Sequence, residues 1–147
     1  MGRAVYEEVF DGQTGPPNHA RYVFLDNRAR AFFDDWPAVA HDTARILRSE
    51  ASRDPHDPGP AELIEELSQT SAEFRAIWSQ HDVRLPASGL HRFHHPVVGD
   101  LDLVFEAAAL RADPGLTLLL ATAEQGSPTE SALRRLAATT ARDERER

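Results

Sequence analysis

An α+β fold with an antiparallel sheet of about three strands follows from three observations on the sequence. Residues 1–80 space their apolar side chains at helical intervals. Residues 90–122 change to strand-like alternation and a short apolar run, and a capped amphipathic segment begins at Ser127. At 147 residues and 16.3 kDa, one domain with a single core is the expectation.

Val5, Val9 and Phe10 have helical spacing, and Gly12, Gly15, Pro16 and Pro17 end that segment. Tyr22, Val23, Phe24 and Leu25 form an apolar knot before Asp26-Asn27, and Ala29, Phe32 and Phe33 continue with helical period. The best-marked long helix starts at Trp36-Pro37. Asp35 can accept from the free N–H groups of its first turn, where proline costs no hydrogen bond. Val39, Thr43, Ile46 and Leu47 are expected on its buried face, and the helix should end before the Pro/Asp-rich connector 54–60. Pro60 should open a further helix with Leu63, Ile64 and Leu67 on one face. Thr70-Ser71-Ala72-Glu73 reads as a capping box, with Thr70 as the cap of a short helix carrying Phe74, Ile77 and Trp78.

The strands follow. Residues 90–94 can extend toward Pro96, and Val98-Gly99-Asp100 offers a hairpin turn. Leu101, Leu103 and Phe105 alternate with Asp102, Val104 and Glu106, the pattern of a half-buried strand. After the turn signal Asp113-Pro114-Gly115, residues 116–122 are nearly continuously apolar. That continuity predicts a central strand or one covered on both faces. Ser127-Pro128-Thr129-Glu130 is a second capping box, and Leu133 and Leu136 are the docking points of the last helix. Residues 1–138 are expected to form the domain, with 139–147 a charged tail fraying into solvent.

Composition excludes several functions. The net charge is -8 and every cation is Arg, which opposes the basic footprint of a nucleic-acid binder. The absence of Cys removes disulfides, zinc fingers and a thiol nucleophile. The N-terminus lacks the apolar stretch of a signal peptide, so a cytoplasmic location is expected, with no membrane contact. His81, Asp82, His91, His94 and His95 are close in sequence, but adjacent strand residues point to opposite faces, so no metal site is expected. The His-Asp doublets at 41–42 and 81–82 resemble those of HD-type phosphohydrolases only as dipeptides, and the strand-rich second half argues against that helical fold. A metal-dependent hydrolase is therefore the least favoured alternative. No nucleophile elbow or phosphate-cradling loop occurs. No catalytic residues and no cofactor are expected.

Several strings together carry a resemblance. They are Tyr22-Val23-Phe24-Leu25-Asp26, Asp35-Trp36, Ser71-Ala72-Glu73-Phe74-Arg75 with Trp78, His81-Asp82-Val83-Arg84, His94-His95-Pro96-Val97-Val98-Gly99 with Leu101, Thr122-Ala123-Glu124, and Gly126-Ser127-Pro128. In order and spacing, residues 4–138 resemble the MmyB-like ligand-binding domain of bacterial transcription regulators, which follows an Xre-type helix-turn-helix. The resemblance implies a PAS-like fold with helices packed on one side of the sheet and an N-terminal hairpin, which this sequence lacks. It implies ligand sensing, with an apolar, fatty-acid-like effector, and DNA contact only through a helix-turn-helix absent here. The missing hairpin would leave a sheet edge exposed, so a homodimer or another partner is expected to cover it.

Within that implied cavity, the residue pattern offers Phe24, Trp36, Leu47, Leu63, Phe74, Trp78, Phe93, Leu103, Phe105 and Leu119 as apolar lining. Arg84, Arg92, His94 or His95 are candidates to hold a carboxylate head group through charge-assisted hydrogen bonds. For Arg84 the local alternative is a salt bridge with Asp82. The competing reading of the whole chain is a protein–protein interaction module with a filled core.

Overall fold

The structure is a computed structural model that describes residues 5–6, 16–80, 89–111 and 116–146. Among the described residues it is an α+β arrangement in which six helices accompany a three-stranded antiparallel sheet. The chain divides into two compact units, residues 9–86 and residues 1–8 with 87–147.

The first unit is helical. Helix α1 (His19–Leu25) starts where the Asn18 side chain accepts from the Arg21 N–H at 3.1 Å, and a single turn, α2 (Ala29–Phe32), follows. Tyr22, Phe32 and Phe33 are buried and meet edge to face, with ring centroids 5.0–6.1 Å apart. Helix α3 (Trp36–Arg53) is capped as its sequence predicts, with the Asp35 carboxylate accepting from Ala38 N–H at 3.1 Å. Its buried face is Ala40, Thr43, Ala44 and Leu47; Ile46, expected inside, is half exposed. The small residues explain the rotation, because Ala40 and Ala44 let neighbouring helices approach closely. The Thr43 hydroxyl meanwhile donates to the Val39 carbonyl, which satisfies it without a tertiary partner.

Helix α4 (Pro58–Thr70) begins two residues earlier than expected, because Asp57 rather than the connector's last proline organises the start by accepting from Gly59 N–H. Helix α5 (Ala72–Trp78) is capped by Ser71, whose hydroxyl accepts from Phe74 N–H, and not by Thr70. Thr70 still belongs to α4, where its hydroxyl donates to the Glu66 carbonyl, so the expected capping box shifts by one residue. Glu73 is thereby released to pair with Arg30. Ala20, Ala44, Leu47, Leu63, Leu67 and Phe74 make the core of this unit, with Phe24, Ile64, Ile77 and Trp78 packed against it.

The second unit holds the sheet, in the order β1 (Gly89–His95), β2 (Gly99–Ala109) and β3 (Thr117–Thr122). The β1–β2 turn ends at Gly99, whose φ of 81° is a left-handed conformation that glycine adopts without strain. Register pairs His91 with Leu103, Phe93 with Leu101 and His95 with Gly99. Phe93, His95, Leu101, Leu103 and Phe105 therefore share one buried face, as the alternation predicts. Helix α6 (Pro128–Glu146) packs on β2, and the Thr129 hydroxyl accepts from Asp102 N–H at 3.0 Å. Its start is the expected box with one change: Ser127 accepts from Glu130 N–H, while the Glu130 carboxylate reaches past Ser127 to Gly126 N–H. The helix continues to Glu146, beyond the expected domain limit at 138.

Strand β3 departs from expectation. It lies at the edge of the sheet, paired with β2 alone among the described strands, and is exposed along its length. A continuous apolar run matches a central strand only when other strands and layers cover it, and none of the described strands does so on its outer side. The segments 81–88 and 112–115, with Arg84 and the Asp113-Pro114-Gly115 turn, lie outside the described residues, as do 7–15.

Candidate functional site

The candidate ligand residues fall into two sets, one in each unit. In the helical unit, Phe24, Trp36, Leu47, Leu63, Phe74 and Trp78 come together. Phe24 meets Phe74 edge to face at 5.0 Å and Trp36 at 6.4 Å, and Trp78 stacks on Phe74 at 5.2 Å with planes 23° apart. Leu47, Leu63 and Phe74 are buried, Phe74 completely, whereas Phe24, Trp36 and Trp78 are half-buried.

Each tryptophan has a polar tether. The Trp36 indole N–H donates to the Val23 carbonyl at 2.9 Å, which satisfies the one polar atom of the ring. The Arg30 guanidinium lies 3.9 Å above the Trp36 ring and also binds Glu73 at 2.6 Å. Arg48 lies 4.2 Å over Trp78 and donates to the Trp78 carbonyl at 2.5 Å. A cation over an aromatic face is attracted by the ring quadrupole, by about 0.5–1 kcal/mol at exposed sites. The sequence pattern found the aromatic residues but not these two arginines, since a cation–π pair across helices leaves no local signal.

In the sheet unit, Phe93, Leu103 and Phe105 line the buried face together with Leu101. Phe93 and Phe105 lie 5.6 Å apart, and Tyr6 meets Phe93 edge-on at 6.3 Å. Burial pushes the Tyr6 phenol up to about 12, so it stays neutral at physiological pH. Leu119 is on the same face by register, opposite Ala107, but at 57% exposure it lies on the open edge strand.

The polar candidates separate by face. Arg92 and His94 are even-numbered residues of β1 and stand on the exposed face, opposite to Phe93. There Arg92 binds its cross-strand neighbour Asp102 through two bonds of 2.7 and 3.0 Å, and His94 Nδ1 lies 2.8 Å from Asp100. The Arg92 guanidinium holds the Asp102 carboxyl below the usual carboxylate range, chiefly through these hydrogen bonds. Neither Arg92 nor His94 shares a face with the apolar row of Phe93, Leu103 and Phe105.

His95 does share it. It is buried, and its Nδ1 accepts from the Val97 and Val98 N–H groups at 3.2 and 3.3 Å, which leaves Nε2 as the ring's N–H donor. His91 is on the same face, its ring 5.6 Å from Phe105 and perpendicular to it. The face is thus an apolar row with two imidazoles and a phenol along it. Tyr6 and Leu101 were absent from the sequence-based candidates. Leu101 had a signal, because it shares the alternation of Leu103.

Among the described residues, no group of three or more His, Asp or Glu side chains gathers to hold a metal ion, and no helix is long and apolar enough to cross a membrane. No curated protein and no solved structure matches this chain. One family does, over residues 1–136, and that span covers both the aromatic helical cluster and the apolar face of the sheet. By that match, this chain belongs to the family of MmyB-like transcription regulator ligand binding domains.

Proposed function

We propose that this chain senses a fatty-acid-like or other apolar effector for a cytoplasmic transcription regulator, binding the effector without transforming it. The observation that supports this reading best is the row Phe93, Leu101, Leu103 and Phe105, with His91, His95 and Tyr6 along it. The row is itself closed in this structure, with Leu101 and Leu103 0% and 1% exposed, so an acyl chain would displace what packs on it before burying methylenes there at ~0.8 kcal/mol each, with the imidazoles meeting its polar end. Arg84, in the segment adjoining β1, is the remaining cationic candidate for a carboxylate. DNA contact would come from a separate helix-turn-helix, with effector binding favouring one of two regulator states by its differential affinity. A second copy of the chain is the proposed protein partner.

Native mass spectrometry of protein purified from cells, with extraction of bound lipid, tests the reading. A co-purifying fatty acid is expected. Phe105→Trp, which enlarges a ring of the row, should lose it. Protein that arrives empty and binds no added fatty acid would refute the sensor.

A second reading is favoured by one observation: Leu67 and Phe74 are wholly buried, so the core of the helical unit is filled. That suits an interaction module without a ligand. The same experiment separates the two, since the module predicts empty protein whose fold is intact.

A further inference from the structure

On the apolar row of the sheet, the backbone settles which way the His95 ring can hydrogen-bond. Its Nδ1 accepts from the Val97 and Val98 N–H groups, 3.2 and 3.3 Å away. A ring nitrogen that accepts carries no hydrogen, so Nε2 carries it and can only donate. The residue is 3% exposed, and Nε2 itself is shut off from solvent. The other polar groups along the row have no such fixed direction. The Tyr6 hydroxyl can donate or accept, and the His91 ring can take either tautomer.

The surroundings of His95 suit a head group. Its cross-strand partner is Gly99, which sets no side chain beside the ring, and a Cβ added at Gly99 would meet nothing within 4 Å. Arg92 is bound to Asp102 on the opposite side of the sheet. The donor that β1 offers to the row at this end is therefore an imidazole N–H and not a guanidinium.

We propose that the His95 Nε2–H anchors the effector and selects its polar end: an oxygen that accepts a hydrogen bond, as in a carboxylate, an ester or an amide. An end that only donates, such as an alkylammonium, would set N–H against N–H and is rejected. This names the effector class for the row and rests on the sensor reading above. The oxygen would take the place of whatever the N–H meets in the unliganded chain, as the acyl chain would take the place of what packs on the row. A buried group built to hydrogen-bond a ligand discriminates strongly against an analogue that cannot answer it, because the group then loses its bond.

The two nitrogens of His95 have separable duties, and substitution can part them. Asn places its side-chain oxygen about where Nδ1 stands, and an Asn in a turn accepts from the backbone two residues on. His95→Asn should therefore keep the turn at Val97 and Val98 while deleting the Nε2 donor. His95→Gln does the reverse: its amide reaches the Nε2 position and can donate there, but the turn loses its acceptor.

Isothermal titration of the full chain at neutral pH with dodecanoic acid, methyl dodecanoate and dodecylamine tests the assignment. The acid, or the acid and the ester, should bind about tenfold or more tightly than the amine. His95→Asn should weaken that binding about three- to tenfold, the worth of one hydrogen bond, with hydrogen exchange at Val97 and Val98 unchanged. His95→Gln should weaken it less, although the two amides then exchange faster. A His95 that served the turn alone would give the opposite order. Imidazole nitrogen-15 spectra of the wild type serve if a variant fails to fold, since the Nε2–H signal should move when acid or ester is added. A chain that binds neither acid nor ester overturns the sensor reading and this anchor together. An amine that binds as tightly as the acid, a His95→Asn variant that matches the wild type, or an Nε2–H signal that stays in place overturns the anchor alone.

Discussion

Truncating Phe74 to Ala distinguishes a filled helical core from a ligand cavity. The ring is wholly buried, contacts Phe24 edge to face, stacks on Trp78, and belongs to a cluster with Leu47, Leu63 and Leu67. A Phe→Ala change in such a core costs about 3–5 kcal/mol, the upper half applying where the walls cannot collapse. Two aromatic contacts, each worth about 0.5–1.5 kcal/mol beyond area, favour that upper half. The expected loss is therefore about 4 kcal/mol, or roughly 12 °C in Tm for a chain of this length. Both tryptophans of the chain, Trp36 and Trp78, lie in the helical unit, so urea unfolding followed by Trp fluorescence reads this unit selectively. Phe74→Leu, which keeps most of the volume, should cost only ~1–1.5 kcal/mol. A loss under about 1 kcal/mol for the Ala variant would refute the reasoning, because a side chain lining an open cavity has few contacts to lose.

Other expectations follow from single contacts. Ser71→Ala removes the α5 cap and leaves the Phe74 N–H without its acceptor; it should cost about 1–2 kcal/mol by urea titration, whereas Thr70→Ala should cost a few tenths. Thr129→Val deprives Asp102 N–H of its acceptor and should destabilise the sheet unit by ~1–2 kcal/mol, read by hydrogen exchange on β2. Asp26 and Asp102 have carboxyl pKa values lowered by Arg28 and Arg92. A depressed folded-state pKa contributes stability above the ordinary value of ~3.9, lost as pH falls through the lowered one. Arg92→Gln should return the Asp102 carboxyl, followed by carbon-13 NMR, toward the ordinary range and reduce the acid sensitivity of the fold.

Much of the architecture was legible because its causes are local. The period-2 row Leu101, Leu103 and Phe105, the Asp35 and Ser127 caps, and the split of His94 from His95 depend on residues a few positions apart, and all appear as expected. Errors arose where a local signal had two solutions. Thr70 and Ser71 both suit a cap, and which one serves depends on where α4 stops. Ile46 and Ala40 both suit a helical stripe, and the closeness of neighbouring helices selects the small residue.

How the candidate residues group in space was not legible in the sequence. The sequence by itself determined the α+β class, the aromatic content and the family strings, because hydrophobic period and short motifs are properties of neighbours along the chain. Tertiary structure decided that Arg92 and His94 pair with Asp102 and Asp100 on the face opposite Phe93, and that Arg30 and Arg48 cap the two tryptophans. It also decided that β3, apolar enough for the centre of a sheet, stands at its edge. A strand's rank in a sheet is set by which other strands pair with it, and those partners are written elsewhere than in the strand.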